Sequence, residues 1–138
     1  MAKAVRFAVS MHERLLRQFD ELRTRRGYET RSEAIRDLIR DQLVSDGWDD
    51  KPEVMGTVTL VFDHHVRALT EKLTAIQHDH HELILSTMHL HLDHDHCLEV
   101  IAVKGPGRQV RALADGLISV KGVKHGKLTV TTVGRDLN

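Results

Sequence analysis

The chain has 138 residues, enough for one domain or two small ones. Its 20 Lys and Arg balance 20 Asp and Glu, which argues against a generic polyanion binder but not against a site-specific one that clusters a few arginines. Aromatics are only 4% of the chain, so Leu, Ile and Val must supply the core. No apolar run reaches membrane-spanning length, residues 1–10 show no apolar leader, and one cysteine beside histidines fits a reducing cytoplasm.

Residues 4–11 alternate. Val5, Phe7, Val9 and Met11 fall on one face, with Ala4, Arg6, Ala8 and Ser10 on the other, as in a half-buried strand. The period then changes: Leu15, Leu16, Phe19 and Leu22 mark a helix that Gly27 stops. Thr30 to Glu33 reads as a capping box opening a second helix, with Ile35, Leu38, Ile39 and Leu43 turned inward, to near Ser45. A strand-helix-helix piece this small cannot bury a core alone. Two copies would solve that by pairing their strands into an antiparallel ribbon over four helices. Such a ribbon fits the major groove, where Arg6, Ala8 and Ser10 would meet base edges and the helix start near Arg31 a phosphate. A plain dimerisation module is the competing reading.

Residues 46–52 combine Gly, Pro and acids and read as a linker. Two domains are therefore expected, 1–48 and 53–138. The second reads as strand 56–62, helix 63–79, strand 83–92, strand 96–103, helix 106–119 and strand 127–133. Val66, Leu69, Leu73 and Ile76 form the first helix's stripe, and Gly122 and Gly126 break the chain before the last strand. The order βαββαβ is the ferredoxin-like split unit, so the whole is α+β.

Nine of the 11 histidines lie between His64 and His96, and Cys97 is the only cysteine. His89 and His91 are two apart on a strand, so both project from one face, while Leu90 and Leu92 are expected to face the core. A turn at 93–96 returns the chain so that Cys97 can join them, giving two imidazoles and a thiolate. A fourth ligand is expected from the cluster His78-Asp79-His80-His81. Such a donor set suits Ni(II), Cu(II) or Zn(II), depending on geometry. His64, His65, His80, His81, His94, His96 and His125 read individually as surface or supporting groups. Catalytic readings fail: His81-Glu82 would need a second histidine at Leu85, and Gly105-Pro106-Gly107 is too short for a phosphate loop. The chain is not expected to be an enzyme.

Five stretches occur together in order. They are Arg26-Gly27-Tyr28 with Arg31 to Asp37, then Gln77 to His81, Met88 to His91, Asp95 to Glu99, and Gly122 to Gly126. With them the chain resembles the nickel-responsive transcriptional regulators over nearly its whole length. The resemblance implies a ribbon-helix-helix domain joined to an ACT-like domain, and nickel held square-planar by His89, His91 and Cys97 of one subunit and His78 of another. It implies a homotetramer, a dimer of dimers, that binds a palindromic operator when nickel-loaded and represses nickel uptake or regulates other genes. It also implies a second cation site at Glu33 and Asp37, with potassium a plausible occupant, and DNA-backbone contact by Arg67. Ala8 stands where a polar residue is familiar, so the operator is expected to differ from the best-known one. Rival expectations are a cobalt or copper regulator, a metal storage or delivery protein, and a small-molecule sensor that would not need Cys97.

Overall fold

The computed structural model describes residues 3–135 and Leu137. Met1 and Ala2, part of the stretch read as lacking a leader, lie outside the described residues. The chain forms two compact units, residues 1–41 and 42–138, each described by itself.

In the first unit, α1 (Glu13–Arg25) begins at His12, whose Nδ1 accepts from the Arg14 N–H at 3.2 Å. It ends where Gly27 adopts φ +82°. Thr30 then caps α2 (Arg31–Ser45): its Oγ1 accepts from the Glu33 N–H at 3.1 Å and donates to the Glu33 carboxylate at 3.1 Å. The hydroxyl satisfies one orphan N–H of the helix start, as in a capping box, while the Glu33 carboxylate is tied to the hydroxyl. The expected strand over 4–11 is not part of any sheet here. A lone strand has no ladder to join within its own chain, so its backbone groups stay unpaired.

The helices correct a second expectation. Leu38, Ile39 and Leu43 are exposed rather than inward, α1 buries nothing, and α2 buries only Ala34. Val5, Phe7 and Val9 are also exposed, Phe7 at 70%. With Leu16, Phe19 and Ile39 they line one open groove of the first unit.

The second unit is a four-stranded antiparallel sheet with helices on one face. Its strands are β1 (Val54–Asp63), β2 (Ile84–His91), β3 (His96–Gly105) and β4 (Val123–Thr131), in spatial order β2-β3-β1-β4. The helices are α3 (Leu69–Asp79) and α4 (Gly107–Ile118). This is the expected ferredoxin-like α+β order. Val58, Leu60 and Phe62 of β1, Ile101 and Val103 of β3, Leu69 and Leu73 of α3, and Val110, Leu113 and Leu117 of α4 make the core.

Several details differ from the sequence reading. Trp48, placed in the linker, belongs to this core: it is buried, donates Nε1–H to the Thr131 carbonyl at 3.0 Å, and lies under the Arg111 guanidinium. The helix expected from 63 starts only at Leu69; residues 64–68 form turns, Ala68 has φ +62°, and Val66 is exposed off the helix. Gly126 lies within β4 rather than breaking the chain, opposite Leu60 and tight against Ile118. Leu90 and Leu92 are exposed, not in the core. The helix-covered face of β2 is instead the one carrying Thr87, His89 and His91, as the pairing of Phe62 with Cys97 and of Cys97 with His91 dictates.

Candidate metal centre

Register assembles the centre. Cys97, the second residue of β3, lies directly between Phe62 of β1 and His91 of β2, so all three share the helix-facing side. One row along, Glu99 stands between Leu60 and His89. The donor atoms of His89, His91 and Cys97 all lie within 4.8 Å of one another. Sγ of Cys97 is 3.6 Å from Nδ1 of His91. The sulfur is fully buried, while both imidazoles are exposed at the sheet edge, so an ion has an entry side.

Burial pushes the Cys97 thiol above its ordinary value, and the negative charges of Asp63, Asp93 and Glu99 push it further. The same negative field that penalises a bare thiolate favours a divalent cation beside it. Two imidazoles and one thiolate within reach of one point fit a borderline-soft ion such as nickel.

A supporting layer was not given a role from the sequence. Glu99 is only 7% exposed; its Oε1 accepts from Gln77 Nε2 at 2.7 Å, and its Oε2 lies 3.8 Å from Nδ1 of His89. Gln77 Oε1 in turn accepts from the Thr87 hydroxyl at 2.9 Å. The chain Thr87–Gln77–Glu99 thus joins α3 to the strand that carries His89. The signal for Glu99 was its position: two residues beyond Cys97 on a strand, an acid must share the sulfur's face.

The turn from β2 to β3 is held by Asp93, whose Oδ1 accepts from the N–H groups of Asp95 at 2.9 Å and His96 at 2.8 Å. These donors, with the His96 side chain, hold the Asp93 carboxyl down at about 2.

His78 does not join the trio. It is exposed near the end of α3, on a surface shared with Thr70, Glu71, Thr74 and Ala75. Arg6, Ala8 and Ser10 are exposed. Arg31 is held by Asp20 through Nε at 3.0 Å and Nη2 at 2.8 Å. Glu33 receives the Thr30 hydroxyl, and Asp37 receives the Tyr28 hydroxyl at 2.6 Å. Arg67 is exposed in the turn before α3. No helix is long and apolar enough to cross a membrane among the described residues.

Residues 55–131 match the family described as NikR C terminal nickel binding domain, and residues 5–44 match the ribbon-helix-helix proteins of the copG family. Relatives are similar end to end. One from Nitratidesulfovibrio vulgaris strain DP4 is 57% identical over 138 residues, covering 99% of each chain. One from Solibacter usitatus strain Ellin6076 is 58% identical over 138 residues, with 99% of each covered. One from Geobacter sulfurreducens is 55% identical over 139 residues, with both chains fully covered. Each is named as a candidate nickel-responsive regulator. Among solved structures, an uncharacterized protein from Thermotoga maritima aligns with a TM-score of 0.52 at 16% identity, over 58% of this chain and 99% of that one, a likeness of fold alone. With a ribbon-helix-helix domain followed by the nickel-binding domain, and full-length relatives above half identity, the chain belongs to the family of nickel-responsive regulators.

Proposed function

We propose that the chain is a nickel-responsive transcriptional regulator that binds a palindromic operator when loaded and represses nickel uptake. The convergence of His89, His91 and Cys97 carries this reading. Nickel would be held by these three residues and by His78 of another subunit, linking two copies. His78 supports this because it is exposed and outside the trio, free to serve a neighbour.

The first unit supplies the DNA-binding half. Its open apolar groove and bare strand are what a second copy would cover, pairing the two 4–11 segments as a ribbon. Arg6, Ala8 and Ser10 then face the bases, with Ala8 suited to a thymine methyl and Arg6 to guanine. Arg31 at the start of α2 and Arg67 meet phosphates. Two such dimers around four metal-binding units make a homotetramer working in the cytoplasm. An alkali cation such as potassium sits at Glu33 and Asp37, one turn apart on α2. The chain's own machinery is positional: Glu99 and Gln77 tie the sheet edge to α3, so order at His89 would be transmitted to the helix that carries His78. By linkage, metal that favours the DNA-competent arrangement must itself be held tighter on DNA.

The test is fluorescence anisotropy of the full chain on a nickel-transporter promoter at fixed salt, with and without stoichiometric Ni(II). Binding that requires nickel, and is lost in Cys97→Ala, is the expected result. Equal binding with and without metal overturns it.

A further inference from the structure

We infer that Asp20 is a specificity-determining residue of the DNA-binding unit: it holds the Arg31 guanidinium so that Arg31 meets a phosphate seated in one place and adds little to the binding of DNA in general. The inference rests on the reading, proposed above, that Arg31 meets a phosphate.

Arg31 is the first residue of α2. A cation there opposes the helix macrodipole, which favours negative charge at an N-terminus. Arg31 therefore does nothing electrostatically for its own helix, and within the chain its charge is answered from α1. Asp20 Oδ1 accepts from Arg31 Nε at 3.0 Å, and Oδ2 accepts from Nη2 at 2.8 Å. The hydrogen bonds act on both partners: they hold the Asp20 carboxyl below its ordinary value and raise that of Arg31. A bidentate pair of this kind fixes the plane of the guanidinium as well as its charge. Nε and Nη2 are taken by Asp20, and Nη1 is left for an outside acceptor. The Arg31 side chain is 56% exposed against 30% for Asp20, so the pair opens to solvent on the arginine side.

A second arginine braces the same carboxylate. Arg23 Nε, which is buried, lies 3.5 Å from Asp20 Oδ1. Its Nη1 donates to the carbonyls of Tyr28 at 3.1 Å and Glu29 at 3.0 Å, in the turn that leads into Thr30 and α2. Arg23 is thus committed to the backbone, and Arg31 is the member of the trio that neutralising Asp20 would release. Asp20 also cancels one of the two arginine charges. Non-specific affinity for DNA grows with the number of phosphates neutralised, whereas specific affinity depends on where each contact falls. A guanidinium tethered in a fork contributes to the second more than to the first.

The test is fluorescence anisotropy of the nickel-loaded full chain on a nickel-transporter promoter duplex and on a scrambled duplex of the same composition, across salt from about 50 to 200 mM. Asp20→Asn keeps the size and an acceptor oxygen but removes the charge. It should steepen the salt dependence on the scrambled duplex by about 0.9 per chain, roughly tenfold in affinity across that range for a dimer, and so narrow the gap between the two duplexes. Circular dichroism should be unchanged. Asp20→Asn/Arg31→Ala should match Arg31→Ala on the scrambled duplex, because Asp20 acts through Arg31. Arg31→Lys keeps the charge and loses the fork, so it too should narrow the gap, and it gives an answer even where Asp20→Asn fails to fold. An unchanged salt dependence in folded Asp20→Asn overturns the inference, as does a steepening that persists without Arg31, or a gap left at its wild-type width in Arg31→Lys. Arg31→Ala without effect on either duplex overturns the phosphate reading and the inference with it, whereas an effect of Arg31→Ala with none from Asp20→Asn overturns the inference alone.

Discussion

Replacing Glu99 with Gln should weaken nickel binding without unfolding the chain. Glu99 is 7% exposed, accepts from Gln77 at 2.7 Å, and presents its other oxygen to His89 Nδ1 at 3.8 Å. Gln keeps the volume and a carbonyl acceptor for Gln77 but loses the charge. A hydrogen bond to a charged group contributes about 1.5–3 kcal/mol and a neutral one about 0.5–1.5, so roughly 1–1.5 kcal/mol is lost there. The contact that orients His89 is weakened as well. Partners of this kind, which orient a metal-binding histidine, typically alter affinity about 10- to 100-fold, or roughly 1.4–2.7 kcal/mol. The assay is competition of the apo-protein with a nickel chelator of known affinity, with thermal unfolding of the apo-form as control. An unchanged nickel affinity in a folded Glu99→Gln protein would refute the role assigned to the Thr87–Gln77–Glu99 chain. A large loss of apo-stability would show that the carboxylate serves the fold instead.

Nickel affinity should rise with pH by roughly tenfold per unit below the Cys97 thiol's raised value, because binding expels its proton; proton release on titration checks this. The sign for the apo-fold is opposite. A thiol held neutral by folding loses its advantage once pH exceeds its ordinary 9.0, so apo-stability should fall there and Cys97→Ser should flatten the decline in alkaline melts. Phe7→Ala removes a ring that is 70% exposed in one chain; if a second copy covers it, about 1–2 kcal/mol per chain is lost. Counted twice per dimer, that loosens dimerisation by about 30- to 1,000-fold, which sedimentation would detect. Trp48→Ala should cost about 3–5 kcal/mol in urea unfolding of the second unit, since it empties a core position and strips Thr131 of a donor. Gly107→Ala should also destabilise, because a Cβ there would overlap the Trp48 carbonyl oxygen; soluble expression and melting temperature report it.

The convergence of His89, His91 and Cys97 was legible because strand periodicity and a tight turn leave them little choice but to share a face. Which face was covered was not legible. Alternation separates two sides of a strand but does not say which one meets the helices. Here the histidines took the helix side at an edge, and Leu90 and Leu92 were left outside. Val66 misled for a related reason: it fits a helical stripe, but His64 is bonded across to the β2–β3 turn and holds 64–68 out of the helix. Trp48 sits among Gly and Asp, and its burial depends on Thr131 and Arg111, far along the chain. The alternation over 4–11 was readable as a pattern, yet these residues join no sheet in the single chain.

The burial of Cys97 also separates metal from oxidant as signals. Peroxide and disulfide chemistry act on accessible thiolates. This sulfur has no exposed surface and stays protonated through the neutral range. In the proposed nickel centre, an ion arriving between His89 and His91 would draw off that proton as it binds, whereas an oxidant would meet a neutral, buried thiol. If Cys97 holds nickel as proposed, the same packing that makes the ligand costly to ionise would keep oxidative stress from being mistaken for metal abundance.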